Sequence, residues 1–194
     1  HHELHVALTG ERHGYYSEYG SIADLARLYE RGPTDRLVYC SQNHDQIGNR
    51  ATGDRPRPDE LELRAAVLLF APHVPLLFMG EEYGEQRPFQ YFTDHDDPAV
   101  ADATREGRRR EFGFAGVEVP EPQVLDTFLA SKLSREERPG MRDLYRDLLR
   151  LRRELPGETS AVGDDSARIV RVRRGNVQLV ADFESRTVTI ERDD

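Results

Sequence analysis

The stretch VYCSQNHDQIGNRATGDR, residues 38–55, decides how the chain is read. It opens, after Leu37, as a short apolar run of Val38, Tyr39 and Cys40. It then turns into a dense set of hydrogen-bonding side chains: Gln42, Asn43, His44, Asp45, Gln46 and Asn49. A buried strand that ends this way is costly unless those groups are used, because buried polar atoms need partners. One use is a capping network at the strand end. The other is a ligand site, since parallel sheets bind ligands beyond the carboxyl ends of their strands. The amides suit the many hydroxyls of a sugar.

Working outward, the next segments complete a unit. RPRPDE (55–60) reads as a loop with Asp59 as N-cap, and Leu61, Ala65, Leu68 and Leu69 predict a helix over 60–71, closed by Pro72. VPLLFMG (74–80) is a continuous apolar run of strand length, the pattern of a strand buried on both faces. Strand, loop, helix, strand is one βαβ unit. The second strand runs into Glu81 and Glu82, so both strands are expected to aim carboxylates at one mouth.

Upstream, residues 1–30 read as helix broken at Thr9-Gly10, with a loop at HGYYSEYG. Ser21 caps a second helix whose face is Ile22, Leu25, Ala26, Leu28 and Tyr29, ended by Gly32-Pro33. Downstream, 81–140 is rich in prolines and reads as loop. Met141, Leu144, Tyr145, Leu148, Leu149 and Leu151 predict a helix over 140–155. Pro156 to Gly163 reads as a linker. The period then changes to two: Val170 and Val172, then Val177, Leu179, Ala181 and Phe183, then Val188 and Ile190, with turns at Gly175-Asn176 and Glu184-Ser185. The reading is two domains, 1–156 and 157–194, the second a small antiparallel β module.

The bulk numbers narrow the class. With 194 residues, 37% hydrophobic and 32% charged, the chain reads as soluble and globular. A net charge of −9 argues against nucleic acid as partner. No apolar run reaches the ~20 residues that span a bilayer, and no basic-then-apolar leader is present. The single cysteine fits a reducing cytoplasm, and Cys40 reads as a small core residue. Arg108-Arg109-Arg110, between Glu106 and Glu111, reads as a solvated, salt-laced surface. His1, His2 and His5 invite a metal reading, but a zincin pattern would need histidine where Val6 stands.

The residues themselves carry a resemblance. QNHDQIGNRATGDR is similar to the segment on the seventh barrel strand of the α-amylase superfamily of glycoside hydrolases. VPLLFMGEEYG, PFQYFTDHDDP, GRRREF and HHELHVALTGERHGYY narrow this. With HHELHVALTGERHGYY at the start and the others following in chain order, they resemble the malto-oligosyltrehalose trehalohydrolase family. The resemblance implies an α/β fold: the C-terminal part of a (β/α)8 TIM barrel, about strands 7–8 with flanking helices, then the small antiparallel β domain. It implies retaining hydrolysis of the α-1,4-glucosidic bond next to the terminal trehalose of malto-oligosyltrehalose, with no metal or organic cofactor. By motif, Asp45 matches the third catalytic carboxylate, the transition-state stabiliser, and His44 the histidine that hydrogen-bonds the sugar. Gln42, Asn43, Gln46, Asn49, Arg50 and Glu82 stand as further substrate contacts. Phe89, Gln90, Tyr91 and Phe92 form either a sugar-stacking wall or core. His1, His2 and His5 match a position at the end of the sixth strand and read as native.

Two departures matter. A retaining glycosidase needs a nucleophile and a general acid roughly 5–5.5 Å apart, and neither of the family's motifs for them occurs here. The local carboxylates Glu81, Glu82, Asp94, Asp96 and Asp97 lack the strands that would set that geometry. Between Glu30 and Leu37 only RGPTDR stands where the family carries a longer loop. The expectation is a segment that is inactive alone. The alternatives are a non-catalytic glucan-binding module, a fragment that self-associates through exposed sheet edges, or part of another α-amylase-type enzyme such as a glucan branching enzyme.

Overall fold

A computed structural model describes residues 1–31, 36–113 and 116–193. The elements in chain order are α1 (His2–Thr9), α2 (Ile22–Glu30), β1 (Val38–Cys40), α3 (His44–Gly48), α4 (Leu61–Phe70), β2 (Val74–Leu76), α5 (Pro98–Glu111), α6 (Leu125–Ala130), α7 (Met141–Glu154), β3 (Ser160–Asp164), β4 (Ile169–Arg174), β5 (Val177–Asp182) and β6 (Thr187–Arg192). The chain is of mixed helix and sheet and folds as two compact units. One comprises His1–Ser41, Pro58–Leu77 and Pro139–Asp194. The other comprises Gln42–Arg57 and Phe78–Arg138. No helix among the described residues is long and apolar enough to cross a membrane.

In the first unit α4 is the hub. Every described side chain from Leu63 to Phe70 is buried, with Leu63, Ala65 and Leu69 at 0% exposure. Each large apolar side chain buried this way contributes about 1.5–3 kcal/mol. Around α4 pack Met141, Tyr145 and Leu148 of α7, Ile22, Leu25 and Tyr29 of α2, and one face of the β3–β6 sheet. That sheet is an antiparallel meander in sequential order, with Val170 opposite Ala181 and Val172 opposite Leu179. Its alternation is clean: Val170 and Val172 are buried, Arg171 and Arg173 are exposed. β3 lies against α2 so closely that a Cβ on Gly163 would sit 2.2 Å from the Ile22 carbonyl oxygen.

The buried helix carries charge at both ends. Near its N-terminus Glu60 and Arg64 form an ion pair at 2.8 Å, their side chains only 1% and 2% exposed. At its C-terminus, the orphan carbonyls that any helix leaves are met by two arginines. Arg152 donates to Leu69, Ala71 and His73, and Arg174 donates to Phe70 at 2.9 Å and to Pro156 at 2.8 Å. Burial and the neighbouring charge of Arg152 lower the Arg174 pKa to about 10.

Several expectations hold. Thr9-Gly10 ends α1, with Gly10 in the left-handed region. Ser21 caps α2 by accepting from the Asp24 amide. β1 and β2 pair in parallel, Val38 opposite Val74, around α4. Gly32-Pro33 lies outside the described residues.

Others are corrected. β1 and β2 are not buried on both faces: Val38 is 58% exposed, Val74 43% and Leu76 39%. Among the described residues this sheet has two strands only, so alternate side chains meet solvent. Cys40 is half-buried, not core. β2 stops at Leu76, well short of Gly80. Asp59 is not the N-cap of α4. It sits in a 3-10 turn, Pro58–Glu60, and pairs with Arg186, while Glu60 takes the cap position. Residues 81–140 contain α5 and α6. α5 starts on Asp97, which accepts from the Ala99 amide at 2.8 Å, with Pro98 in its first turn. Pro98 is a helix starter there, and the helix buries only Ala101 and Arg108, so no apolar period betrays it. β3 occupies the expected linker because Ala161 alone of its side chains is buried and Val162 is 69% exposed.

Candidate functional site

All the sequence-predicted contacts lie in the second unit. The segment Gln42–Arg57 follows β1 directly in the chain, and its first act is to start a helix. Asn43 is the N-cap of α3: its side-chain oxygen accepts from the Gln46 amide at 2.7 Å. That places His44 and Asp45 in the first turn, with both side chains largely exposed. His44 Nε2 lies 3.2 Å from Asp45 Oδ1, and their side chains are 73% and 64% exposed. The helix is held from below by Ile47 and Gly48, both buried. An exposed carboxylate held beside an imidazole can accept hydroxyl protons in hydrogen bonds and can face a developing positive charge.

The other residues divide by role. Gln42 is 3% exposed and accepts from Arg55 Nη1 at 3.3 Å, so it is a structural anchor and not a surface contact. Asn43 and Gln46 meet through the cap. Arg50 pairs with Asp54 at 2.8 Å. Asn49 is exposed and ends α3. Its carbonyl and that of Arg50 accept from Arg108, at 3.3 and 2.9 Å.

The aromatic segment is part wall and part packing. Phe89 sits in an edge-to-face series with Phe78 at 5.3 Å and Phe92 at 5.9 Å, and Phe92 continues to Phe128 at 5.1 Å. Tyr91 lies under the Arg108 guanidinium, 4.8 Å from it. Gln90 donates its backbone N–H to Ser131 Oγ. Phe89, Gln90, Tyr91 and Phe92 are all half-buried.

The expectation that the second strand brings Glu81 and Glu82 to the same mouth as Asp45 is corrected: only one of the two is exposed enough to serve there. Both lie in a 3-10 turn, Glu81–Tyr83, bounded by Gly80 and Gly84 in the left-handed region. Glu81 is 1% exposed and Glu82 half-buried, so one carboxylate of the two meets solvent. Asp94 and Asp96 are exposed, and Asp97 is taken by the α5 cap.

Three residues outside the expected set build the site's frame. Arg108 is 7% exposed, which overturns the solvated reading for that member of the run, although Arg109 remains exposed. Its exposed neighbours hid it. Arg55 is 8% exposed, stacks over Phe78 at 5.0 Å and donates to the Arg87 carbonyl at 2.8 Å. Burial lowers its pKa, and Glu85, Tyr83, Glu81 and Glu82 oppose that. Glu85 is 2% exposed. Burial pushes its pKa up, but the Arg87 amide, the Ser134 hydroxyl and amide and the Tyr83 hydroxyl outweigh this and hold it at about 2. Nothing in the sequence marked Glu85 as the anchor of this turn.

The histidines of the first unit are engaged within it. His1 Nδ1 donates to the Ser41 carbonyl at 2.7 Å, and His5 Nε2 donates to Glu11 Oε2 at 2.8 Å. The His1 and His5 rings stack at 5.4 Å. Among the described residues no group of three or more His, Cys, Asp or Glu side chains could hold a metal ion.

Comparison with known proteins gives a consistent answer. No family model matches the chain. The malto-oligosyltrehalose trehalohydrolase of Rhizobium sp. is 40% identical over 99% of this chain and 39% of that protein. The one from Deinococcus radiodurans is 44% identical over 80% of this chain and 32% of that protein. A crystal structure from Salmonella typhimurium, assigned as an alpha amylase, superposes with a TM-score of 0.81 at 33% identity, over 94% of this chain and 39% of that one. The chain therefore resembles malto-oligosyltrehalose trehalohydrolases along most of its length, and it spans a third to two fifths of theirs.

Proposed function

We propose that this chain is the C-terminal portion of a trehalose-releasing hydrolase of the α-amylase type, comprising the last part of a (β/α)8 barrel and, from residue 157, a small β domain. Its substrate is an α-glucan ending in trehalose, and the bond cut is the α-1,4 linkage next to that trehalose, with retention. The observation that carries this reading is the His44–Asp45 pair, exposed at the first turn of a helix whose cap and underside are fixed.

Asp45 stabilises the oxocarbenium-like transition state. A fixed carboxylate gains more from positive charge that develops in the transition state than from the neutral ground state. His44 donates to a sugar hydroxyl, and Asn49 and Glu82 supply further polar contacts. Arg50 contributes through the Asp54 pair that orders its loop. Phe89 and Tyr91 offer apolar ring surface to a sugar face, while Gln42, Asn43 and Gln46 hold the turn in place. The nucleophile and the general acid come from outside residues 1–194. Alone, the chain binds glucan weakly and hydrolyses nothing.

The experiment is maltodextrin binding together with trehalose release from maltotriosyl-trehalose, using the purified 194-residue chain. The expected result is saturable binding, lost in Asp45→Ala and in His44→Ala, with no trehalose formed. Trehalose formation would show that the chain supplies its own nucleophile and acid. Unchanged binding in both variants would remove the site.

One observation favours a second behaviour. Val38, Val74 and Leu76 present apolar side chains from a two-stranded sheet, and exposed sheet edges invite pairing. Self-association through that sheet predicts concentration-dependent oligomers by light scattering that Val38→Lys abolishes.

A further inference from the structure

A cleft of about 490 Å3 opens in the second unit between the loop at 84–88 and the loop at 134–138. It shares no residue with the 42–50 segment. Its size is that of a small-molecule pocket.

The cleft is built, and one carboxylate builds it. Glu85 Oε1 accepts from the Gln86 and Arg87 amides at 3.0 and 2.9 Å on one wall and from the Ser134 hydroxyl at 2.8 Å on the other. Its Oε2 accepts from the Ser134 amide at 2.7 Å and from the Tyr83 hydroxyl at 3.1 Å. The Arg138 amide donates to the Tyr83 carbonyl at 2.9 Å, which ties in the far end of the second loop. Both walls are thus fixed before any ligand arrives, and fixed walls lower the ordering cost of binding.

The lining chemistry sets the ligand class. Arg87 and Arg138 are exposed donors, Glu136 and Glu137 exposed carboxylates, and Pro88 a half-buried apolar face. At the rim two positive and two negative side chains balance, and the buried Glu85 carboxylate beneath them is already met by hydrogen-bond donors of both walls. That disfavours a phosphate or polyanion, which would meet both glutamates, and equally a cation. A neutral polyol uses both: guanidinium N–H groups donate to its hydroxyl oxygens, carboxylates accept from its hydroxyl hydrogens, and a prolyl ring covers its C–H face.

We infer that this cleft is a second carbohydrate-binding site, one that takes a short neutral oligosaccharide. It goes beyond the Asp45 reading and does not depend on it.

The test is amide chemical-shift mapping of the 194-residue chain titrated with maltotetraose. Expected are saturable shifts at 84–88 and 134–138 that persist in Asp45→Ala. The Arg87→Ala/Arg138→Ala double variant, at two exposed positions whose backbone hydrogen bonds remain, should weaken that set about tenfold and leave shifts at 44–50 intact. Absence of shifts at the two loops, their disappearance in Asp45→Ala, or equal shifts with inorganic phosphate in place of maltotetraose would each overturn the site. Shifts at the loops with none at 44–50 would instead keep this site and remove the Asp45 reading.

Discussion

The guanidinium of Arg108 closes on the backbone of Asn49, donating from Nη1 to its carbonyl at 3.3 Å and from Nη2 to the next carbonyl, that of Arg50, at 2.9 Å. These carbonyls lie at the C-terminal end of α3, where a cation both completes the hydrogen bonding and complements the helix dipole. Arg108 reaches them from α5, 59 positions on in the chain, with its flat faces against Tyr91 and Phe112. The short helix that presents His44 and Asp45 is therefore held at its far end by a residue on another helix.

Arg108→Ala removes those bonds and leaves two carbonyls to water. We expect a loss of about 1–3 kcal/mol and faster hydrogen exchange at the amides of residues 44–50. Unchanged exchange there would show that the α3 end is held by other contacts.

Glu85 makes stability depend on pH. Its folded pKa, about 2, lies below the ordinary value of 4.5. Between those values the unfolded chain binds the proton more readily than the folded one, so stability rises with pH across the window. The contribution, about 3 kcal/mol, is complete above about 4.5 and is lost as pH falls toward 2. Urea denaturation followed through that window should show the slope. Glu85→Gln should flatten it and lower stability at neutral pH.

Arg174→Met keeps the apolar stem and deletes the donors to Phe70 and Pro156. With Arg174 only 3% exposed, the freed carbonyls stay buried, and about 2–4 kcal/mol should be lost. Thermal unfolding with Arg171→Met, an exposed strand neighbour, as control would check it: equal effects would refute a special role for Arg174.

Asp45→Asn should leave stability within about 0.5 kcal/mol, as exposed substitutions usually do. A large destabilisation would mean that Asp45 holds the turn itself, and any lost glucan binding could not then be assigned to the carboxylate.

How far the sequence led depends on what each residue type had to reveal. α4 and α7 were legible because a helix that buries many apolar side chains must repeat them near every 3.6 residues. β4 and β5 were legible by their period of two: valines alternate with arginines in β4, and Val177, Leu179 and Ala181 mark the buried face of β5. α5 was not, since it buries only Ala101 and Arg108 and has no period to show. β3 was not, because its contact with α2 is made through a glycine and one alanine. At the candidate site, the NHDQ segment announced itself by polar side chains crowded at a strand end. Its supports did not. Arg55 and Arg108 reach backbone carbonyls, and Glu85 reaches the Ser134 amide, over 30 to 60 positions, and a backbone group carries no letter that could mark the partner in advance.

The fit of β3 to α2 has a consequence for how this chain can change over generations. At residue 163 a single added carbon would land on the Ile22 carbonyl, so no other amino acid fits without parting strand from helix. Such a position has an alphabet of one. Helix and sheet are therefore bound to drift as one piece: the helix can be rebuilt on its outer face, and the strand at Ser160 or Val162, but the line along which they touch must be inherited whole.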